Sequence, residues 1–411
     1  MLKHKIIYKN APYTPVAFKE KKQLHIAMFT NNYLPFIGGV PLSIHRLAEG
    51  LRELGHRVYI FAPEYPMYKN HDHEDIIRCK LLKYLKTDKF NFAISDIFSS
   101  HIEETFKNLP IDIVHVHHPY WMGEKGMSLA KKYKIPIVFT YHTRFERCVH
   151  MIPYIGKKIG EWLPNHMVKQ FSSDCDGVFA PTLSAKEHLQ SLAIKTPIEI
   201  LPTGIDLNQY KVTYKETEQI RRKYLKEEHI LLFCASRLSK EKNLFFLLEG
   251  LKHVKNHTSV KFKCIIAGDG PEKQNIKNYI FKHKLNDIVY LLGEIPPTEI
   301  NKYYMASDIF VFSSTAETQG LVILEAMAAS LPVVAVSSFG IRDIIKDGVN
   351  GYITKEKIED WANQLIVLLE NPRKLKQMSI EAFKTATKYT IDTMAKKAVQ
   401  VYKHLLENPL F

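Results

Sequence analysis

Two glutamates flank a glycine in residues 315–328, which read Thr-Ala-Glu-Thr-Gln-Gly-Leu-Val-Ile-Leu-Glu-Ala-Met-Ala. Glu317 precedes Gly320, and Glu325 follows it on the second turn of an expected apolar helix. Residues 309–313 have the composition of a buried strand. A strand, a small-residue turn and a helix create an anion site, because the amides of the first helical turn are unpaired and carry the positive end of the helix dipole. The pattern predicts a ligand that presents phosphates to this backbone and hydroxyl groups to both carboxylates.

Arg237 and Lys242 add positive charge upstream of this segment. Guanidinium and ammonium groups stabilise the negative charge that grows on a diphosphate leaving group. The four charged residues together therefore predict a nucleotide-sugar site. The alternative is an ordinary core helix with Glu325 in solvent. The glutamate spacing by itself favours that alternative, whereas the added Arg and Lys favour the ligand site.

These spacings resemble the motifs of a known enzyme family. Glu317 to Glu325 resembles the E-x7-E motif of retaining glycosyltransferases with the two-Rossmann GT-B fold, and Arg237 to Lys242 resembles their R-x4-K element. The resemblance implies that Glu317 contacts the donor sugar, that Glu325 contacts the nucleotide ribose, and that the two basic residues hold the diphosphate. It also implies donor contacts from the turn and the helix start, namely Thr318, Gln319, Gly320 and Leu321. Many members carry Phe directly before the glycine. The Thr-Gln-Gly sequence of this chain instead resembles the one found at this place in bacterial enzymes that glucosylate diacylglycerol.

Two further loops with glycines are expected to border the ligand. Gly38 and Gly39 follow the first predicted strand, where adjacent glycines allow close backbone approach at a helix start. The resemblance places this loop across the interdomain cleft from the donor phosphates, and Tyr33 before it beside the acceptor. Gly268 follows another predicted strand and is expected beside the nucleotide. A plain strand-to-helix turn is the alternative for both loops.

His142 stands at the carboxyl end of a predicted parallel strand, where side chains face the ligand crevice. The resemblance places it next to the donor sugar and the reacting hydroxyl as a positioning group, with general base as the less favoured role. The run from Tyr141 to His150 also resembles diacylglycerol glucosyltransferases. That similarity adds Phe145 and His150 as candidate acceptor contacts, and a structural role is the alternative for His150.

A metal centre is not predicted. His115 and His117 share one strand face, but a catalytic zinc site wants three protein ligands and no further His, Asp or Glu is suitably spaced. The sequence also has no convincing D-x-D element for Mg²⁺. We therefore expect no metal and no cofactor, with the nucleotide sugar entering as a substrate.

The composition is that of a soluble globular protein, with 45% hydrophobic and 24% charged residues among 411. No apolar run is long enough to span a bilayer and the N-terminus lacks an export signal, so we expect a cytoplasmic protein. Five scattered cysteines suit reduced thiols.

The formal net charge of +14 suits nucleotides, an anionic membrane or nucleic acid. Nucleic acid is disfavoured, because no zinc-finger, RNA-binding or helix-turn-helix pattern is present. Residues 151–163 combine aliphatic and aromatic side chains with two lysines. This composition suits either a peripheral contact with the inner face of the membrane or a core helix.

Strand-like and helix-like segments alternate through residues 24–205 and again through 206–390, which implies parallel strands with helices on both faces. The sequence therefore predicts an α/β fold with two Rossmann-like, doubly wound domains facing an interdomain cleft. This is the GT-B architecture that the resemblance implies. Residues 1–23 form a basic extension without an assignment. Residues 391–411 contain a helix that, by resemblance, returns to the first domain.

The leading functional prediction is a retaining glycosyltransferase that moves a hexose, with glucose from UDP-glucose as the favoured donor. The favoured acceptor is a lipid such as 1,2-diacylglycerol, joined through an α-glycosidic bond, and a polysaccharide or small sugar stays open. A UDP-sugar epimerase on the same frame would need no acceptor. A two-lobed solute-binding protein is disfavoured by the missing export signal and by the Arg237, Lys242 and Glu325 set.

Overall fold

The computed structural model describes residues 23–36, 38–65, 75–86, 91–144, 157–225 and 229–408. The first domain is built on a parallel sheet of seven strands with a separate two-stranded hairpin. Its strands are β1 (His25–Phe29), β2 (Arg57–Pro63), β3 (Ile76–Cys79), β4 (Leu81–Lys86), β5 (Asn91–Ser95), β6 (Ile113–Val116), β7 (Ile137–Thr140), β8 (Gly177–Ala180) and β9 (Ile198–Ile200). Its helices are α1 (Gly39–Glu53), α2 (Ser100–Lys107), α3 (Met122–Tyr133), α4 (Lys157–Ser173) and α5 (Leu183–Ser191).

The second domain contains a six-stranded parallel sheet. Its strands are β10 (Ile230–Ala235), β11 (Phe262–Ala267), β12 (Val289–Gly293), β13 (Ile309–Phe312), β14 (Val333–Val336) and β15 (Gly351–Thr354). The helices in this part are α6 (Tyr214–Tyr224), α7 (Leu244–His257), α8 (Lys273–Lys282), α9 (Ile300–Ala306), α10 (Leu321–Ala328), α11 (Ile358–Glu370), α12 (Pro372–Ala386) and α13 (Ile391–Glu407). Short 3-10 turns lie at Leu207–Tyr210, Lys240–Lys242 and Thr387–Tyr389.

Both sheets form because their strands are apolar on both faces. The strands β6, β7, β8, β13 and β14 are buried along their whole length. Continuous apolar strands of this kind require helices on each side of the sheet, which is the arrangement of parallel α/β folds. The predicted class, an α/β fold with two Rossmann-like domains, is confirmed.

The order of the strands shows where each sheet can bind a ligand. The first sheet runs β3-β2-β1-β6-β7-β8-β9, and the second runs β12-β11-β10-β13-β14-β15. The order reverses between β1 and β6 in one sheet and between β10 and β13 in the other. Ligands of open α/β sheets bind beyond the carboxyl ends of the strands at such switch points. The loops after these four strands are therefore the ones that matter for function.

The last helix packs on the first domain. Met394, Ala398 and Tyr402 of α13 lie in the same buried cluster as Ile44 of α1. A Cβ at Gly50 of α1 would stand 2.6 Å from Cγ2 of Ile391. Helix α13 therefore fastens the end of the second domain to α1 of the first.

Candidate active site

The loop between β13 and α10 has the strand-turn-helix geometry of an anion site. Gly320 lies directly before α10 with φ +78°, a left-handed conformation that glycine adopts without a steric penalty. Among the residues that the structure describes, no side chain caps this end of α10 through a hydrogen bond. The start of the helix therefore presents backbone amides, not a capping side chain, to the cleft between the domains.

The two sequence motifs meet at the switch point of the second sheet. The amide of Thr315 donates to the Glu241 carbonyl at 3.2 Å, and the hydroxyl of Ser313 donates to the Lys242 carbonyl at 2.8 Å. Nζ of Lys242 lies 2.5 Å from Oε1 of Glu317. The loops after β10 and β13 are thus joined by backbone and side-chain contacts, which places the predicted phosphate-binding lysine on the predicted sugar-binding carboxylate.

Glu317 is held in its ionised form. Its side chain is 14% exposed. Burial by itself would raise the pKa of Glu317, but the charge and hydrogen bond of Lys242, with a hydrogen bond from Ser314, outweigh it and hold the pKa below its usual value. An ionised carboxylate accepts hydrogen bonds from hydroxyl groups, so Glu317 is suited to a sugar.

Arg237 lies in the exposed part of the loop after β10. This loop packs tightly against the loop after β11. A Cβ at Gly268 would stand 1.9 Å from the Ser236 carbonyl oxygen, and one at Gly270 would stand 2.4 Å from that of Leu238. Both glycines are therefore required for the two backbones to approach, and they fix the loop that carries Arg237. A contact of Gly268 with the nucleotide remains a prediction.

The glycine pair of the first domain faces the start of α10 across the cleft. Gly38 directly precedes α1, and Gly39 is its first residue. A Cβ at Gly39 would lie 3.9 Å from Cδ1 of Leu321, the first residue of α10. The amino ends of α1 and α10 are therefore close together, one from each domain, as the predicted phosphate site requires.

Gln319 contacts the junction between the domains. Thr203 donates its amide to Oε1 of Gln319 at 3.0 Å, and Nε2 of Gln319 donates to the Thr203 carbonyl at 3.4 Å. Thr318 accepts a 3.4 Å hydrogen bond at its carbonyl oxygen from the Thr182 hydroxyl of the first domain. The turn before α10 is thus attached to the first domain on two sides. Contacts of these two residues with the donor remain predictions.

Glu325 also contacts the first domain. Its Oε1 accepts from Nη2 of Arg46 at 2.9 Å, and its Oε2 accepts from the Tyr304 hydroxyl at 3.3 Å. Nη1 of Arg46 donates to the carbonyl of Gly204 at 3.4 Å. The carboxylate that the resemblance assigns to the ribose is therefore approached by residues of both domains.

His142 is supported by a second histidine. Nδ1 of His117 lies 3.0 Å from Nε2 of His142, and their rings are stacked at 5.2 Å. Burial, with smaller contributions from neighbouring histidines, lowers the pKa of both rings well below the usual value. Both rings are therefore neutral near pH 7, so one nitrogen of the contact carries the proton and the other accepts it.

The neighbouring His115 is held from both sides. The hydroxyl of Tyr402 from α13 is 2.8 Å from its Nδ1, and Oγ1 of Thr140 is 2.6 Å from its Nε2. Burial lowers the pKa of His115 to about 3. His115 therefore has a structural role, and it connects the last helix to the strand that precedes His142.

The structure describes only one of the three candidate acceptor residues, Tyr33. The ring of Tyr33 is buried in the core of the first domain, and its hydroxyl lies 3.2 Å from Nδ1 of His45. It therefore offers little surface to an acceptor in this conformation, and the assignment remains a prediction. Phe145 and His150 lie outside the described residues.

The sequence patterns do not single out several residues that bring the site together. They include Arg46 and Thr203, as well as Asp343, which accepts from the amide and hydroxyl of Ser184 across the domains at 2.8 and 3.1 Å. A Cβ at Gly340 would stand 2.3 Å from the Thr318 carbonyl oxygen. The one available signal was on α1, where Gly39, Ser43, Arg46 and Gly50 share a helical face of small residues with a single charge.

Within the part of the chain that the structure describes, no three His, Cys, Asp or Glu side chains are grouped closely enough to hold a metal ion. The same residues contain no helix with both the length and the apolar character needed to cross a bilayer. The four described cysteines are free and buried.

Comparison with known proteins identifies the family. The model described as Glycosyltransferase Family 4 matches residues 37–209, and the model described as Glycosyl transferases group 1 matches residues 216–385. An alpha-monoglucosyldiacylglycerol synthase of Acholeplasma laidlawii is 29% identical over 396 residues, which cover 93% of this chain and 98% of the relative. A synthase of the same name from Streptococcus pneumoniae is 31% identical over 332 residues, covering 80% and 74%.

Among solved structures, Anabaena HepE in complex with UDP and glucose has a TM-score of 0.73 at 18% identity and covers 93% of this chain and 100% of its own. This likeness shows the fold. The two matched models lie one on each domain, and the range of the group 1 model includes both Lys242 and Glu317. The chain therefore belongs to the group 1 glycosyltransferases with the GT-B fold.

Proposed function

We propose that this glycosyltransferase transfers glucose from UDP-glucose to the free hydroxyl of a 1,2-diacylglycerol, with retention of the α configuration. The geometry that supports the donor is the contact between Lys242 and Glu317 beside the start of α10. The names of the two bacterial relatives support the lipid acceptor. The UDP and UDP-glucose complexes of HepE, which shares the fold, support a UDP-sugar donor.

The second domain would stabilise the leaving group. As the bond from the anomeric carbon to the β-phosphate oxygen breaks, negative charge grows on the diphosphate. In this proposal, Lys242, Arg237 and the first-turn amides of α10 would stabilise that charge. Lys242 pairs with Glu317, and a bound donor would give the ammonium a phosphate and the carboxylate a sugar hydroxyl.

The acceptor would attack from the same face that the nucleotide leaves. The new bond joins the anomeric carbon to the acceptor oxygen, and the acceptor proton passes to a phosphate oxygen of the departing UDP. This balance requires no base from the protein. His142, whose Nε2 is already engaged by His117, would hydrogen-bond the sugar near the reacting carbon through its other nitrogen.

Three further properties belong to the same proposal. The enzyme would work without a metal ion, because Lys242, Arg237 and the helix amides would neutralise the diphosphate. It would act on the inner face of the membrane as a peripheral protein, because its acceptor is a membrane lipid. EDTA-treated enzyme should keep its activity, and the wild type should co-sediment with vesicles of anionic lipid.

Purified Glu317→Ala and Lys242→Ala enzymes, assayed with UDP-glucose and diacylglycerol, test the site. Each charge-assisted contact contributes about 1.5–3 kcal/mol, so its loss from the transition state lowers the rate by about ten-fold or more. Wild-type turnover by both variants would contradict the assignment. A panel of lipid, polysaccharide and small-sugar acceptors tests the acceptor, and faster transfer to a non-lipid would replace diacylglycerol in the proposal.

A further inference from the structure

Arg46 of α1 is a buried charge that links three parts of the chain. Its guanidinium contacts the Glu325 carboxylate of the second domain at 2.9 Å and the Gly204 carbonyl of the junction at 3.4 Å. The side chains of Arg46 and Glu325 are 7% and 13% exposed. Because the two residues come from different domains, the ion pair exists only while the domains are together.

The exposure of the Arg46 and Glu325 charges to water would change if the domains moved apart. In the closed arrangement both charges are removed from water, and each depends on the other for compensation. In an open arrangement the two charges would return to solvent, and Glu325 would keep the Tyr304 hydroxyl of its own domain as a neighbour. The orientation of the Glu325 carboxylate is therefore set by closure, and by Arg46 in particular.

Arg46 leaves room for a ligand on the same carboxylate. An ionised carboxylate has about four acceptor positions on its two oxygens. Arg46 uses one position on Oε1, and Tyr304 uses one on Oε2. The two further positions equal in number the two neighbouring hydroxyl groups of a ribose, so by this count a nucleotide would not need to displace the guanidinium.

We infer that Arg46 is a positioning residue for the nucleotide, which orients Glu325 towards the ribose hydroxyls and makes nucleotide binding depend on domain closure. The inference rests on the proposed UDP-sugar donor. Through Arg46, the first domain would contribute to binding a nucleotide whose ribose contacts Glu325 of the second domain. Arg46 contacts no substrate itself and acts through Glu325.

A ligand comparison tests this role. UDP and 2′,3′-dideoxy-UDP differ in the hydroxyl groups that Glu325 would bind, so both are titrated calorimetrically into wild type and Arg46→Met. Loss of one oriented, charge-assisted contact should weaken UDP binding by about ten-fold. Binding of the dideoxy nucleotide, already weaker in the wild type, should change by less than about two-fold. A purely structural role would weaken both ligands equally.

Control variants separate positioning from general damage. Arg52 lies on the same helix, and its guanidinium contacts only groups of the first domain among the contacts described, namely Glu49 at 2.8 Å and the Val58 carbonyl at 2.8 Å. Arg52→Met should therefore bind both nucleotides as the wild type does. Arg46→Lys keeps the charge but not the planar contact, and it should show the same selective weakening in a smaller degree. It also serves if Arg46→Met does not fold.

The outcomes are distinguishable from failure of the proposed function. A wild type that binds neither nucleotide would overturn the donor assignment and this inference with it. A wild type that binds UDP, together with an Arg46→Met variant that binds UDP equally well or more tightly, would overturn the role of Arg46 alone. An Arg46→Met variant that binds both nucleotides more weakly by the same factor would also overturn the positioning role of Arg46.

Discussion

Lys242 and Glu317 lie 75 positions apart in the sequence, and their side chains meet at 2.5 Å across the switch point of the second sheet. The contact joins the loop after β10 to the loop before α10. It keeps a carboxylate ionised in a mostly buried position and holds an ammonium beside the start of a helix. A donor that carries both a diphosphate and sugar hydroxyls could engage both groups at once.

The first prediction concerns pH. The pKa of Glu317 is lower in the folded protein than its ordinary value of 4.5. A carboxyl with a lowered folded-state pKa adds stability that is present above the unfolded pKa and is lost as the pH falls through the folded pKa. The free energy of unfolding of wild type should exceed that of Glu317→Gln near pH 7, and the difference should shrink as the pH falls below about 4.5. Urea denaturation across pH measures it, and a difference that grows in acid would contradict the account.

The second prediction concerns the start of α10. Alanine in the left-handed conformation of Gly320 costs about 1–2 kcal/mol, and relief of that strain would move the first-turn amides. Gly320→Ala should therefore lower both stability and UDP-glucose affinity. Gly348 has φ +72° and lies in an exposed turn before β15, where no described atom comes within 4 Å of an added Cβ, so Gly348→Ala carries the same strain at a position apart from α10. Thermal unfolding measures the stability of the two variants, and calorimetry measures their affinity for UDP-glucose. Equal affinities would argue against a role of the α10 amides in binding UDP-glucose.

The third prediction concerns His117. Removing its contact with His142 by His117→Leu should lower kcat by about ten-fold and leave the KM for UDP-glucose nearly unchanged, because in the proposal His117 orients a ring that acts beside the reacting carbon. His117→Asn, which keeps a polar atom near the position of Nδ1, should recover part of the rate. Steady-state kinetics with both variants decide this. A rise in KM at unchanged kcat would mean that the contact serves donor binding instead.

The fourth prediction concerns Gln319. Gln319→Leu would leave the buried amide and carbonyl of Thr203 without these partners, which costs about 1–3 kcal/mol of unfolding free energy. Gln274 is an exposed glutamine that bonds Asn278 on the surface of α8, so Gln274→Leu should change stability by less than about 0.5 kcal/mol. Chemical denaturation measures the free energy of unfolding of both variants. Equal values would mean that the contact between Gln319 and Thr203 does not stabilise the protein.

Much of the fold follows from local sequence patterns. Apolar runs such as residues 262–267 and 309–312 predict buried strands, and the structure has strands with those bounds. Other elements have weak patterns. Strand β15 is short and begins at a glycine, and β4 mixes lysines with leucines, so neither shows the apolar run of a central strand. Burial by surrounding elements decides such segments, and a local pattern does not contain that information.

The candidate site divides in the same way. The R-x4-K and E-x7-E spacings identify Lys242 and Glu317 because each motif lies directly after a strand. The partner of Glu325 in the other domain and the junction partner of Gln319 lie 279 and 116 positions away, on α1 and at Thr203. Such pairings depend on how the two domains meet. The sequence therefore predicts the groups assigned to the donor in the proposal but not the contacts between domains that orient them.

The proposed reaction is tested most directly by its product. Wild-type enzyme is incubated with UDP-glucose and 1,2-diacylglycerol, and the glycolipid is examined by proton NMR at the anomeric position, with the Glu317→Ala enzyme as a control. The account predicts an α-glucosyl diacylglycerol from the wild type and little or none from the variant. A β-linked product, or release of UDP without any glucosylated lipid, would contradict it.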